Sequence, residues 1–209
     1  MVNKIAGEKS TEEQILRAAE QEFMTHGYSA AKTVRIASSA GVTHAMLHYY
    51  FRTKENLFNK VFEEKIKLVA KSMEVFFLNP ELPFLERIRG VIEAHFDFVA
   101  ANPALPRFVI NELISNPGKL SLFASAISGF TSTFLDRIQG EADEAARQGI
   151  IRSVNVLDIL VDTASLNIFP FVSFPLLQII AGGRYKSKEE FIAARRRESV
   201  EVIMQRLKP

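Results

Sequence analysis

Residues 33–58 read TVRIASSAGVTHAMLHYYFRTKENLF, and this stretch decides the fold. Ile36, Ala37 and Ala40 lay an apolar face on a first short helix. Gly41 then supplies the positive-φ residue with which a helix ends and turns sharply. Val42 reads as a buried plug. Thr43 is an N-cap whose hydroxyl can take a free amide of the next helix. On that second helix Leu47 and Phe51 share one face, leaving His44, Ala45 and His48 on another. Thr53 caps a third helix that begins at Lys54. Two helices joined through a glycine in a tight turn form a helix-turn-helix, whose second helix fits the DNA major groove.

Charge agrees. No acidic residue occurs between Glu22 and Glu55, while Lys32, Arg35, Arg52, Lys54, His26, His44 and His48 fall inside that window. A carboxylate facing phosphate is repelled at close range, so a surface cleared of them suits a nucleic acid. The whole chain says little by comparison: 26 Lys and Arg stand against 24 Asp and Glu, a net charge of +2. The 209 residues, 47% of them hydrophobic, suffice for a small module plus a helical domain with its own core. The absence of cysteine excludes disulfides, a thiol redox sensor and Cys-ligated zinc. The N-terminal MVNKIAGEKSTEEQ lacks the apolar run of a signal peptide, which makes the cytoplasm the expected location. The uncharged stretch Thr163–Gly183, TASLNIFPFVSFPLLQIIAGG, has transmembrane length. Pro170 and Pro175 interrupt it and Asn167 and Gln178 dilute it, so a buried helix, a Pro-bent connector and a second apolar stretch are expected, with no membrane partner.

The remaining chain reads as helix throughout, an all-α fold. Ser10-x-x-Glu13 and Thr11-x-x-Gln14 both match a capping box for helix 1. Ile15, Ala19 and Phe23 form its inward stripe, and Gly27 ends it. A long helix runs from Lys54 to about Phe77. Further helices are expected over Phe84–Ala101, Pro103–Ser115, Lys119–Gln148, Val154–Phe169 and Ser187–Leu207, the last opened by the capping box Ser187-x-x-Glu190. The domain boundary is drawn between a helix-turn-helix domain, 1–55, and a helical domain, 56–209.

From about Thr11 to Phe62 the chain resembles the DNA-binding region of the TetR family of bacterial transcription regulators. The matching features are helix 1, the Gly27-Tyr28 corner, Ile36-Ala37, the Gly41-Val42 turn, the Leu47-x-Tyr49-Tyr50-Phe51 run and Lys54-Glu55-x-Leu57, in the family's order and spacing. Ala31 departs from the family's Thr or Ser near the second helix, so capping there falls to Thr33 or its neighbours. His44-Ala45 replaces a common Lys-Gly pair and His48 a common Tyr, which makes the phosphate grip at these positions sensitive to pH. The resemblance implies a homodimeric repressor that binds a palindromic double-stranded DNA operator and is released by a small-molecule effector. It also implies a dimer interface formed by the last two long helices. The expected DNA contacts are Lys32, Thr33, Thr43, His44, Ala45, His48, Tyr49, Tyr50 and Lys54. Of these, Lys54 lies at a helix N-terminus where a phosphate binds, and His44 and Ala45 are placed to reach base edges.

Seventeen phenylalanines occur, twelve of them between Phe76 and Phe174. They are mostly core; an aromatic-lined cavity for an apolar or aromatic effector is the specific hypothesis. His95, Asn111, Glu112 and Asn167 are polar groups in apolar surroundings and the candidates to orient such a ligand. No cofactor or metal is expected. His44 and His48 have i, i+4 ligand spacing but no neighbouring carboxylate or cysteine. Glu93, His95 and Asp97 are a weak catalytic candidate, since on a helix His95 points away from the other two, which are read as solvated, like the Arg195–Arg197 run. Asp158 and Asp162 form a similar pair. No Ser-His-Asp set or phosphate-cradling glycine loop accompanies any of them, so an enzyme is not expected. The alternative is a helical small-molecule-binding protein whose DNA module is vestigial.

Overall fold

The computed structural model is all-α and describes residues 10–77, 79, 81–115, 118, 124 and 132–209. The helices are α1 (Thr11–Ala30), α2 (Thr33–Ser39), α3 (His44–Phe51), α4 (Lys54–Phe77), α5 (Phe84–Ala101), α6 (Ala104–Ser115), α7 (Ser132–Arg147), α8 (Val156–Val172), α9 (Phe174–Ala181) and α10 (Lys188–Leu207). Of the expected helix over Lys119–Gln148, the part before Ser132 lies outside the described residues except for Ala124. Two compact units divide the chain: residues 1–66 with 110–123, and residues 67–109 with 124–209. This differs from a boundary at 55/56, because Leu57, Phe58, Val61 and Phe62 on the first turns of α4 are buried in the core of the first unit.

In the first unit, Ser10 caps α1 with both bonds of the capping box, its Oγ accepting from the Glu13 amide at 3.3 Å. Ile15, Ala19 and Phe23 are fully buried, as their spacing requires. At Gly27 φ is 70°, which breaks the helical geometry before one more turn completes α1. The α2–α3 turn closes with the two bonds of a Schellman motif: Val42 N–H donates to the Ala37 carbonyl at 3.0 Å, and Gly41 N–H to Ser38 at 3.1 Å. Gly41 sits at φ 68° with open space where a Cβ would lie, so its conformation and not crowding demands glycine. Val42 is half-buried, a looser plug than expected. The core is aromatic at its centre. Phe58 of α4 meets Phe23 of α1 edge to face at 5.2 Å and Tyr28 at 5.0 Å.

In the second unit α5, α8 and α10 pack on one another, and α7 packs on α5 and α8. Ile92, Ile138, Ile151, Ile203 and Leu207 are among its most buried side chains. Asn155 caps α8 and Ser187 caps α10 through side-chain oxygens. The Gln139 amide on α7 fastens the segment leading into α8, donating to Val154 O at 2.9 Å and accepting from Val156 N at 2.8 Å. Pro170 is accommodated inside α8; the 77° bend comes after Val172, and Pro175 opens α9. The apolar stretch is therefore two helices about a sharp corner, with α8 buried along Ile159, Thr163, Asn167 and Pro170. No single described helix is long and apolar enough to cross a membrane, although α8 and α9 taken together pass by length and composition.

Glu93 and Asp97 are not simply solvated. Both face Arg196 of α10, whose Nε and Nη2 reach Asp97 at 2.7 and 2.9 Å and whose Nη2 reaches Glu93 at 3.3 Å. That fork also corrects the reading of the arginine run as a mere rim, since a planar guanidinium meets a carboxylate with two parallel bonds. Asp158 and Asp162 likewise face Arg206.

Phe58→Ala removes the ring shared by α1 and α4 and is expected to destabilise the first unit by about 3–5 kcal/mol. Urea unfolding followed by circular dichroism measures it; a loss of about 1 kcal/mol or less would show that Phe58 is not central.

Candidate nucleic-acid interface

The eight residues of α3 are oriented by their two buried ones, Leu47 and Phe51. With these fixed inward, Thr43, His44, Ala45, Met46, His48, Tyr49 and Tyr50 are all exposed, Tyr49 most of all at 82%. Thr43 caps the helix, its Oγ1 accepting from the Met46 amide at 3.1 Å. Met46 lies with the exposed set and not in the core.

The two histidines are held. His44 Nε2 lies 2.9 Å from Thr33 Oγ1, so α2 and α3 are joined by this contact as well as by the turn. His48 Nδ1 lies 2.8 Å from the Arg52 carbonyl. A carbonyl only accepts, so Nδ1 carries the proton and Nε2 takes no part in this bond. The same bond ties down Arg52, a non-glycine residue at φ 61°. The rings stand edge to face at 4.4 Å. Among the described residues no three His, Asp or Glu come together in a metal-binding group.

Thr33 does not cap α2. It is already the first helical residue, the N-cap position belongs to Lys32, and no side chain caps that end. Lys32 is exposed, and its backbone N–H donates to Glu22 Oε1 at 2.8 Å. Glu22 also accepts from Arg35 Nε at 2.8 Å and faces its Nη2. The Arg35 guanidinium, with help from the Lys32 amide, holds the Glu22 carboxyl below the usual carboxylate range against the opposing effect of burial. Arg35 is thus spent within the protein. Lys54 is half-buried: its Nζ donates to the Ser29 carbonyl at 3.3 Å and sits 4.7 Å from the centre of the Tyr28 ring. An ammonium has three donors, and the Ser29 carbonyl takes one of them. Sequence reasoning assigned no role to Glu22 or Tyr28. The first flanks the acid-free window and the second follows the corner glycine, and each acquires its role only through a partner distant along the chain.

Residues 15–61 match the model of bacterial regulatory proteins of the tetR family, and residues 85–203 that of the tetracyclin repressor-like C-terminal domain. The chain belongs to the tetR family. It is 26% identical over 152 residues to the HTH-type transcriptional activator FasR of Mycolicibacterium smegmatis, covering 72% of this chain and 69% of FasR. It is 26% identical over 139 residues to the fatty acid metabolism regulator protein of Bacillus subtilis, 66% and 70% of the two chains. The fold also matches the transcriptional regulator FadR of Bacillus subtilis in complex with stearoyl-CoA, at 20% identity and a TM-score of 0.64 over 93% of this chain and 98% of that one. FasR and the fatty acid metabolism regulator are regulatory proteins, and this tetR-family member is a DNA-binding regulator.

The four ligand candidates do not form one cluster. His95 and Asn167 meet in the second unit, while Asn111, exposed, and Glu112, buried, belong to the first. Asn167 is fully buried and joins three helices: its Nδ2 donates to the Ile92 carbonyl and to His95 Nδ1, each at 3.0 Å, and its Oδ1 accepts from Ser199 Oγ. His95 therefore accepts at Nδ1 and holds its proton on Nε2. None of the four lines the apolar void between α5, α7 and α8, whose walls include Ile88, Ile138, Ile159 and Leu160, with Thr163 the polar exception. That void is about 20 Å³, the room of a single water.

Burial pushes the His95 imidazole down to about 4 from 6.5. The folded protein keeps it neutral between these values while the unfolded chain takes up the proton, so stability falls as pH drops from about 6.5 to 4, by about 3 kcal/mol in all. His95→Gln cannot titrate and retains an acceptor for Asn167. Denaturation at both ends of this range is expected to show a smaller pH effect in the variant; equal slopes would remove His95 as its source.

Proposed function

We propose that this regulator is a homodimeric repressor that lets go of a palindromic operator when an apolar molecule enters its C-terminal unit. The observation that carries the DNA half is the outer face of α3: Thr43, His44, Ala45, His48 and Tyr49 all exposed, with no carboxylate on the helix. Lys32, Thr33, Tyr50 and Lys54 flank it as phosphate contacts, and His44 and Ala45 read base edges. The dimer is supported by a stripe on α8 in which Leu157, Val161, Ser165 and Phe169 are exposed at four-residue spacing, with Val202 exposed on α10. Apolar residues repeated along one helix face want a partner, and a two-fold supplies the same face. Two recognition helices then meet half-sites about one helical turn apart.

The effector reading rests on the apolar walls of the second unit and on relatives named for fatty acid metabolism, which favour an acyl chain. An effector shifts the protein only by its preference for the DNA-free state over the DNA-bound one. Going from 99:1 bound to 99:1 free takes roughly 5.5 kcal/mol of such preference. Relatives named activator and repressor both occur, so the sign of regulation is read by a reporter gene.

Fluorescence anisotropy with duplex DNA tests the core of the proposal. Binding should fall steeply with salt, and Lys54→Ala should lower the slope of log affinity against log salt by about one for every sequence. His44→Ala should instead flatten discrimination between sequences. No binding to any duplex at low salt would favour the alternative of a ligand-binding protein with a vestigial module. Val161→Glu places a charge in the α8 stripe and is expected to give a monomer by sedimentation with weakened operator binding. A dimer of undiminished affinity would move the interface elsewhere. Stearoyl-CoA should raise the melting temperature and release DNA where acetyl-CoA does neither; identical behaviour of the two would reject an acyl effector.

A further inference from the structure

We infer that Glu112 is a positioning residue for DNA binding: its carboxylate holds the Gly27–Tyr28 corner on which Lys54 is seated. The inference rests on the reading of Lys54 as a phosphate contact and gives Glu112 work other than orienting a ligand.

Glu112 is a buried acid, 6% exposed, on the part of α6 that belongs to the first unit. Its Oε1 accepts the Tyr28 backbone N–H at 2.7 Å across 84 residues of sequence. A short bond to an ionised acceptor is among the stronger ones a backbone amide makes, and a buried carboxylate needs such donors. The amide it takes lies immediately after Gly27, where φ of 70° interrupts α1. Oε1 also stands 3.6 Å from where a Cβ on Gly27 would be, so the acid fits closely against the break. Both seats of the Lys54 ammonium are the residues just beyond: the Tyr28 ring at 4.7 Å and the Ser29 carbonyl at 3.3 Å. The Tyr28 ring is in turn set against Phe58 at 5.0 Å. Releasing the Tyr28 amide frees the corner to rotate, and the ring and the carbonyl move together, carrying the ammonium off its phosphate. Glu112 is assigned no DNA contact. It acts through Tyr28 and Ser29.

The test is a double-mutant cycle in the full-length protein, read by anisotropy on a fluorescein-labelled mixed-sequence duplex over a salt series. Glu112→Ala and Lys54→Ala are expected to weaken binding to within about twofold of each other, each lowering the salt slope by about one, and the double variant to be no weaker than either. Glu112→Gln keeps a carbonyl oxygen for the Tyr28 amide and should bind within about twofold of the parent protein. A role in stability alone predicts an unchanged salt slope and losses that multiply in the double variant; either result overturns the inference. So does an E112A protein that binds normally while K54A is weakened, or an E112Q protein as weak as E112A. If K54A itself binds normally, the phosphate role of Lys54 falls first and the inference falls with it. Should E112A fail to fold by circular dichroism, Glu112→Met, which keeps the volume and removes the acceptor, is read by the same criteria.

Discussion

The DNA-facing surface depends on one packing event, the burial of the Phe58 ring between Phe23 and Tyr28. At eight residues α3 is far too short to persist alone in water, where nucleation costs more than so few hydrogen bonds return. Its helicity and its direction are borrowed from α1 and α4. Those two elements are joined by aromatic edges, each worth about 0.5–1.5 kcal/mol beyond the area buried. Leu47 and Phe51 then anchor α3 to the same core, and the rest of that helix is turned outward because those two are turned in.

Electrostatics at this surface are sparser than the count of cations suggests. Arg35 is neutralised by Glu22, and Lys54 is partly committed to Tyr28 and Ser29. The exposed groups that remain are two cations, Lys32 and Arg52, beside the imidazoles and the tyrosines. Both imidazoles there are held in fixed positions, one by Thr33 and one by the Arg52 carbonyl. Fixed donors lose less freedom on binding than long flexible side chains do.

In the second unit the organising contact is polar. Asn167 is fully buried and satisfies groups on α5 and α10 at once. A neutral amide pays a smaller desolvation penalty than an ion would and still defines a register, because a shift along any of the three helices leaves a donor or acceptor unmatched. The apolar void lies beside this tether, sharing Ile92 with it. Any molecule that enlarges it works against close-packed isoleucines and leucines, which is how occupancy of a core becomes a change of shape.

Local features were legible in the sequence because they depend on neighbours in the chain. The Thr43 and Ser187 caps, the Ser10 capping box, the Gly41 turn and the buried faces of α1 and α3 follow from spacing, propensity and a single glycine. The resemblance of residues 11–62 to a known family extended that reading to function. What spacing could not show is which polar groups find each other across distance. Glu22 with Arg35, Glu112 with Tyr28, Arg196 with Asp97, and His95 with Asn167 are separated by 13, 84, 99 and 72 residues. A carboxylate reads the same in sequence whether it faces water or caps a distant amide; the difference is burial, and burial exists only once the helices have packed.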